Sequence, residues 1–439
     1  MKSVKVFAVL SVIVLVAVFG VFRWPQSGLA GDRVPGHYIV VFKDNVSDAE
    51  VAANEVAQKR GLSLSYTYGH ALKGFAAQLN NDQLAAVKND SRVAFVGEDR
   101  VVTAFVRGEK GPGGSGGIAN PTQVLPTGVD RINAENKANK GAGVNVAVLD
   151  TGIDTSHPDL QANIAGGKSC LRGLNYKDGY GHGTHVAGII AALDNSIGVV
   201  GIAPQAKLWA VRVLDNSGFG TWSSVICGVD FVTSKAPANG GPIKVVNMSL
   251  GGTGSSDGNC GDVNGDALHK AICRSVAAGV TYVVAAGNGS ADLKDFVPAA
   301  YEEVIAASAL VDSDGNSCGV GSATSYGADD MFASFSNFAT RALDLARLIG
   351  APGVSIRSTW KGGGYNTISG TSMAAPHVSG AAALYVATHP GATPASVRDA
   401  LRSAGEPANV SFNNECVSGS SHIDPSGSHP EPILRADTL

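Results

Sequence analysis

A chain of 439 residues is too long for one small module and fits a large α/β domain with an accessory segment, or roughly two to three ordinary domains. Its 44% hydrophobic and 16% charged residues exclude a largely disordered or collagen-like chain, and its 56 glycines favour many tight turns. The formal net charge of −4, without a basic block, excludes nucleic acid as an expected partner, and the six cysteines include no CxxC pair of a zinc ribbon or thioredoxin motif.

In chain order, Lys2 and Lys5 precede a run from Val6 to Phe22 without a charge. This reads as a signal peptide over residues 1–30, with Gly28-Leu29-Ala30 as its cleavage site; a retained membrane anchor is the alternative. Export favours disulfides for the even cysteine count. His37 to Phe42 alternates like a strand, Asp48 to Arg60 has helical spacing, and a second strand-like stretch follows Gly61. Gly74 to Ala76, a helix over Asn80 to Asn89 and a strand over Val93 to Glu98 complete a β-α-β-β-α-β order, which predicts a small ferredoxin-like α+β domain. The stretch Gly108 to Gly117 is a flexible linker by composition. Beyond it, apolar runs at Val144–Leu149, Leu208–Val213, Val245–Met248, Tyr282–Ala286 and Val304–Ala307 alternate with helical patterns. Such runs predict a doubly wound, mostly parallel sheet with helices on both faces. Ser418 to His429 reads as a loop and Pro432 to Ala436 as a last short strand.

Three glycine-framed segments carry chemistry. VAVLDTG puts Asp150 at the carboxyl end of a buried strand, where open α/β sheets place functional groups. GHGTHVAG places His182 at a helix start, and GTSMAAPH does the same for Ser372. A serine hydroxyl needs an imidazole to take its proton, and the imidazole needs a carboxylate to fix its tautomer. The order Asp, His, Ser is that of subtilisins.

On these blocks the sequence resembles the subtilisin-like serine proteases, the subtilases, over nearly everything from His37 onward. The resemblance assigns catalysis to Asp150, His182 and Ser372, and makes His185 structural. It makes Asn288, in Ala285-Ala286-Gly287-Asn288-Gly289, an oxyanion donor beside the Ser372 backbone N–H. It implies two substrate-binding edges, Gly218-Phe219-Gly220 and Ser249-Leu250-Gly251, with Ala285, Ala286 and Gly287 walling an apolar pocket. It also implies an inhibitor-type propeptide over 31–105 that chaperones folding and then inhibits, with self-cleavage between Phe105 and Val106. A linker over 106–121 and a peptidase domain over 122–439 follow.

A structural calcium ion is implied too, held by Gln123, Asp159, Leu193, Asn195, Ile197 and Val199; oxygen ligands of this kind suit calcium. The segment Phe338 to Ile349 is longer than the family pattern, which leaves a second calcium site near Asp344 open. The stretch around Asp257 to Asp266 is also extra, and Cys260 with Cys273 is the expected disulfide. Asp262 to Asp266 only superficially resembles an EF-hand. The sequons at Asn247 and Asn288 and the GxSxG matches at Gly113 and Gly315 read as incidental. The implied function is a secreted, monomeric serine endopeptidase made as a zymogen, acting on proteins and peptides with an apolar or aromatic residue before the cut. Two rivals are a catalytically silent subtilase fold, decided by labelling with a serine-directed phosphonate, and an acyl transferase to amines, decided by product analysis.

Overall fold

The computed structural model describes residues 31–105, 121–135, 137–411, 416, 422, 424 and 427–439. The signal segment, the Gly-rich linker and Val106 lie outside them. The amino-terminal domain runs β1 (Arg33–Phe42), α1 (Ala49–Arg60), β2 (Leu64–Tyr68), β3 (Gly74–Gln78), α2 (Asn81–Lys88) and β4 (Val93–Ala104). Local signals set these elements. Asp48 caps α1 by accepting from Val51 N at 2.9 Å, and Gly61 ends it at φ 62°. Asn80 and Gln83 form a reciprocal capping box on α2. Strand β1 pairs antiparallel with β3 and β4, and both helices pack on one face.

The larger body begins with α3 (Thr127–Arg131), β5 (Asn145–Asp150), β6 (Ile164–Ser169), α4 (His182–Ala191) and β7 (Lys207–Arg212). Next come β8 (Phe219–Thr221), α5 (Trp222–Ser234), β9 (Ile243–Met248), β10 (Leu250–Thr253), α6 (Ala267–Ala277) and β11 (Thr281–Ala285). Then follow β12 (Phe296–Val297), β13 (Ile305–Leu310), α7 (Ala342–Leu345), β14 (Leu348–Pro352), β15 (Ile356–Trp360), β16 (Gly364–Ile368), α8 (Thr371–Thr388) and α9 (Pro394–Ala404). Seven parallel strands lie in the order β14-β13-β11-β9-β5-β7-β6. The two-residue period of the strands divides the core. Val146, Val148, Val283 and Ala307 face α4 and α8, whereas Ala147, Leu149, Val284 and Ala306 face α5 and α6. Helix α8 is buried almost all round, as its mostly small and apolar sequence requires.

Three disulfides pair all the cysteines: Cys170–Cys227, Cys260–Cys273 and Cys318–Cys416. The last closes a separation of 98 residues, a loop whose chain-entropy cost in the unfolded state is about 4.7 kcal/mol. The expected strand at Pro432 to Ala436 is not formed. Ile433 makes only isolated bridges, parallel to Gly350 in the middle of β14 and antiparallel to Glu406, so the pairing there is one residue long on each side. The long segment after Phe338 folds into α7, where Asp344 takes Arg341 Nε at 2.6 Å and Arg347 Nη2 at 2.5 Å. Two guanidinium groups therefore neutralise the carboxylate at which the sequence leaves a second calcium site open. Among the described residues no helix is long and apolar enough to cross a membrane.

Candidate active site

Strand β5 ends at Asp150, buried beneath the start of α4. Its carboxylate accepts from His182 Nδ1 at 2.8 and 2.9 Å through its two oxygens, and Oδ1 also takes Thr151 N at 2.6 Å. That contact fixes the imidazole tautomer with the proton on Nδ1 and leaves Nε2 as the acceptor. Nε2 is buried and has no hydrogen-bond partner among the described residues. Gly183 allows the close approach: a Cβ there would stand 2.1 Å from Gly152 O and 3.1 Å from Asp150 Oδ1.

Helix α4 has no side-chain cap at its N-cap Gly181. Asp178 supplies one, accepting from Tyr180 N and Gly181 N at 2.8 Å and from Thr184 N at 2.9 Å. A carboxylate at a helix start also complements the helix dipole. The second histidine of the block differs from the first. His185 donates Nε2–H to Ile356 O at 3.0 Å, and burial, with His182 adding to it, pushes its pKa down to about 3. It is a neutral packing residue.

Ser372 sits in the first turn of α8, fully buried. Pro376 has no N–H to give the Ser372 carbonyl four residues back, and that carbonyl instead accepts from Ser249 Oγ at 2.8 Å. The Ser372 hydroxyl donates to Ser249 O at 3.1 Å, and no hydrogen bond joins it to His182. Asn288 completes the group. Its Oδ1 caps α8, accepting from Thr371 N at 2.9 Å and Thr371 Oγ1 at 2.8 Å. This orientation turns Nδ2 toward Phe105 O, to which it donates at 2.9 Å. Asn247, the other sequon asparagine, is buried between Ser249 and Ser379.

Residues 101–105 occupy the cleft as a substrate would. Strand β4 leaves the amino-terminal domain and runs between two edges of the larger body. Val101, Val102 and Thr103 pair with Thr221, Gly220 and Phe219, while Thr103 and Ala104 pair with Gly251 and Leu250. Ala104 N donates to Gly218 O at 3.0 Å, and Phe105 N to Ser249 O at 3.4 Å. Each such backbone bond contributes about 1 kcal/mol net. The Phe105 ring lies on Gly251, where an added Cβ would meet ring carbons at 2.8 Å, and packs on the core group containing Ala285. Ala286 and Gly287 are held by Ala307 O and Thr371 Oγ1, which fixes the strand end carrying Asn288. Ser372 N–H makes no bond to Phe105 O. Further contacts hold the small domain in place: Asp99 accepts from Ser223 N and Oγ at the start of α5, and Asp230 accepts from the N–H groups of residues 69–71.

Residues 141–419 match the Subtilase family, and residues 37–105 match Peptidase inhibitor I9. The chain belongs to the subtilase family. Subtilisin E of Bacillus subtilis (strain 168) is 38% identical over 387 residues, covering 85% of this chain and 86% of the relative. An extracellular serine proteinase of Thermus sp. is 38% identical over 411 residues, covering 86% and 87%. The crystal structure of a cold-adapted subtilisin-like serine proteinase superposes with a TM-score of 0.55 at 32% identity, covering 71% of this chain and 97% of that one. The protein is thus a subtilisin-like serine endopeptidase with an I9 propeptide domain.

In this subtilase the predicted metal ligands converge. Gln123 Oε1 accepts from Asn195 N at 2.6 Å, and Asp159 accepts from Asn195 Nδ2 at 2.9 Å and Val199 N at 3.0 Å. The loop carbonyls alternate in use: Ser196 O and Gly198 O take N–H groups from Gln123 and Val124, whereas Leu193 O, Ile197 O and Val199 O take none from the described residues. Asp159 is buried without a cationic hydrogen-bond partner among the described residues, and burial raises its pKa. A buried carboxylate bonded only by the neutral Asn195, Val199 and Tyr365 groups, in a loop with carbonyls left to accept, fits a hard cation. Sequence reasoning missed Asp178 and Asp99, whose only signal is an acidic residue placed near a helix start.

Proposed function

We propose that the protein is a secreted zymogen whose triad, Asp150, His182 and Ser372, hydrolyses peptide bonds through an acyl-enzyme, beginning with its own chain after Phe105. The observation that carries this is the Phe105 carbonyl, held by Asn288 Nδ2 while residues 101–104 are clamped between β8 and β10. The Ser372 hydroxyl exchanges Ser249 O for His182 Nε2, surrenders its proton there and attacks the Phe105 carbonyl carbon. His182 then passes that proton to the departing amine of Val106. Asn288 Nδ2 and the Ser372 N–H stabilise the tetrahedral oxyanion, and Asp150 stabilises the imidazolium. Water repeats the cycle on the ester.

Gly218, Phe219 and Gly220 with Ser249, Leu250 and Gly251 form the substrate edges by strand addition. The small wall at Ala285, Ala286 and Gly287 favours an apolar or aromatic residue before the cut. Residues 31–105 act as chaperone and then as inhibitor, 106–121 as linker, and 122–439 as the peptidase, a monomer acting on protein and peptide substrates. The apolar amino terminus directs export, and the pairing of every cysteine suits an oxidising compartment. The test is whether the purified chain cuts itself between Phe105 and Val106.

The ligands at Gln123, Asp159, Leu193, Asn195, Ile197 and Val199 hold a structural calcium, which pins the loop after α4 and takes no part in the chemistry. An ion that binds only the native state stabilises it by mass action, by about 2.7 kcal/mol when calcium is 100-fold above Kd. Chelation should therefore lower the unfolding temperature and open residues 193–199 to autolysis. If scanning calorimetry shows no shift and that loop stays uncut, calcium is not held there.

A further inference from the structure

The loop joining β13 to Phe335 carries three clustered carboxylates. One carboxylate oxygen from each of Asp312, Asp314 and Asp329 lies within 4.8 Å of the other two. Asp312 and Asp329 are both 3% exposed, and Asp314 is half-buried. A fourth carboxylate, Asp130 of α3, abuts the same turn: a Cβ on Gly315 would lie 2.7 Å from Asp130 Oδ2, and burial and the charge of Asp314 raise its pKa.

Neutral groups satisfy most of the oxygens. Asp329 takes Ser313 N at 2.8 Å, Ser313 Oγ at 2.9 Å and Gly321 N at 2.8 Å. Asp312 Oδ1 takes Gly315 N at 3.0 Å, and Asp314 Oδ1 takes Asn316 N at 2.9 Å. Asp312 Oδ2 is different: it is buried and makes no hydrogen bond of ordinary geometry, although the Thr127 hydroxyl stands near. Burial pushes the Asp312 pKa up to about 6 against the pull of Arg131. Arg131 is already engaged by Asp330 at 2.7 Å and by Glu406. Among the described residues no lysine, arginine or histidine bonds Asp312, Asp314 or Asp329.

We propose that Asp312, Asp314 and Asp329 form a calcium site, separate from the loop at Asp159, that clips the long loop after β13 onto itself beside α3. Oxygens on opposite sides of one calcium ion stand about 4.6–5.2 Å apart at ordinary bond lengths, so the three carboxylates can share an ion with little movement. An all-carboxylate set selects a hard cation over zinc or copper. The ion supplies the partner that the buried Asp312 Oδ2 lacks, and it joins the Cys318–Cys416 disulfide in ordering residues 311–330.

The experiment is calorimetric titration of the chelated full chain with calcium, in a Ser372→Ala background that suppresses autolysis. Two ions per chain are expected, one of them surviving in Asp159→Ala. In that double variant Asp312→Asn should abolish the remaining binding, and Asp314→Asn should weaken it by at least about 10-fold, since charge count sets affinity. Asp314 bonds only within its own loop, so its variant keeps the test valid if Asp312→Asn fails to fold, as judged by circular dichroism. No calcium bound by the Ser372→Ala, Asp159→Ala chain would overturn this site and leave the Asp159 reading intact. Unchanged affinity in Asp314→Asn would overturn it as well.

Discussion

The Ser372→Ala chain should accumulate uncut, with residues 31–105 still joined to the rest, and should hydrolyse no peptide substrate. The geometry makes this a loss of nearly all activity. Residues 101–105 already lie in the cleft, so failure to cut cannot be blamed on failure to bind. On the proposed mechanism alanine removes the attacking oxygen, and the neighbouring Ser249 Oγ is no substitute because it is committed to the Ser372 carbonyl. The residual rate would come from binding and oxyanion contacts alone. For a subtilisin the loss is about 2 × 10⁶ in kcat, a magnitude borrowed from that enzyme and not from this chain's geometry. The fold should be undisturbed, since the hydroxyl makes one bond to Ser249 O. Gel mobility of the secreted chain and a peptide hydrolysis assay check both parts. Normal processing of the variant in a protease-free host would remove Ser372 from its role.

Asn288→Ala should reduce kcat by roughly 10²–10³ and leave KM nearly unchanged, again a range known from a subtilisin. The carboxamide makes two kinds of contact. Its oxygen holds Thr371 N and Oγ1 in the ground state, and its nitrogen donates to the Phe105 carbonyl at 2.9 Å. The second contact strengthens as that oxygen gains charge, so its loss falls on the transition state more than on binding. The cap on α8 is lost as well, which costs about 1 kcal/mol of stability. Steady-state kinetics on the mature enzyme separates the effects. A large rise in KM at constant kcat would mean that Asn288 binds substrate without favouring the transition state.

Much of this was legible in the sequence, and what was not depended on distant partners. The buried strands announce themselves as apolar runs, and the catalytic segments as polar residues among glycines at strand and helix ends. Strand β4 is longer than its own sequence suggests. Val101 bonds Gly31 and Asp32, but Val102 to Ala104 take their strand partners from Phe219–Gly220 and Leu250–Gly251, more than a hundred residues on. The pairings Cys170–Cys227 and Cys318–Cys416 span 57 and 98 residues and leave no local trace, unlike Cys260–Cys273 at 13. Asp344 reads as an open ligand until Arg341 and Arg347 close on it. Arg131 likewise gains meaning only when the fold brings Asp330 and Glu406 to it.

The most direct test of the account is the mass of the amino terminus on freshly processed, untrimmed enzyme. The position of Phe105 O on Asn288, with Phe105 against Gly251, predicts that the new chain starts at Val106. A first cut far from Val106 would contradict it, because residues 101–105 would then be an inhibitory strand and not the first substrate.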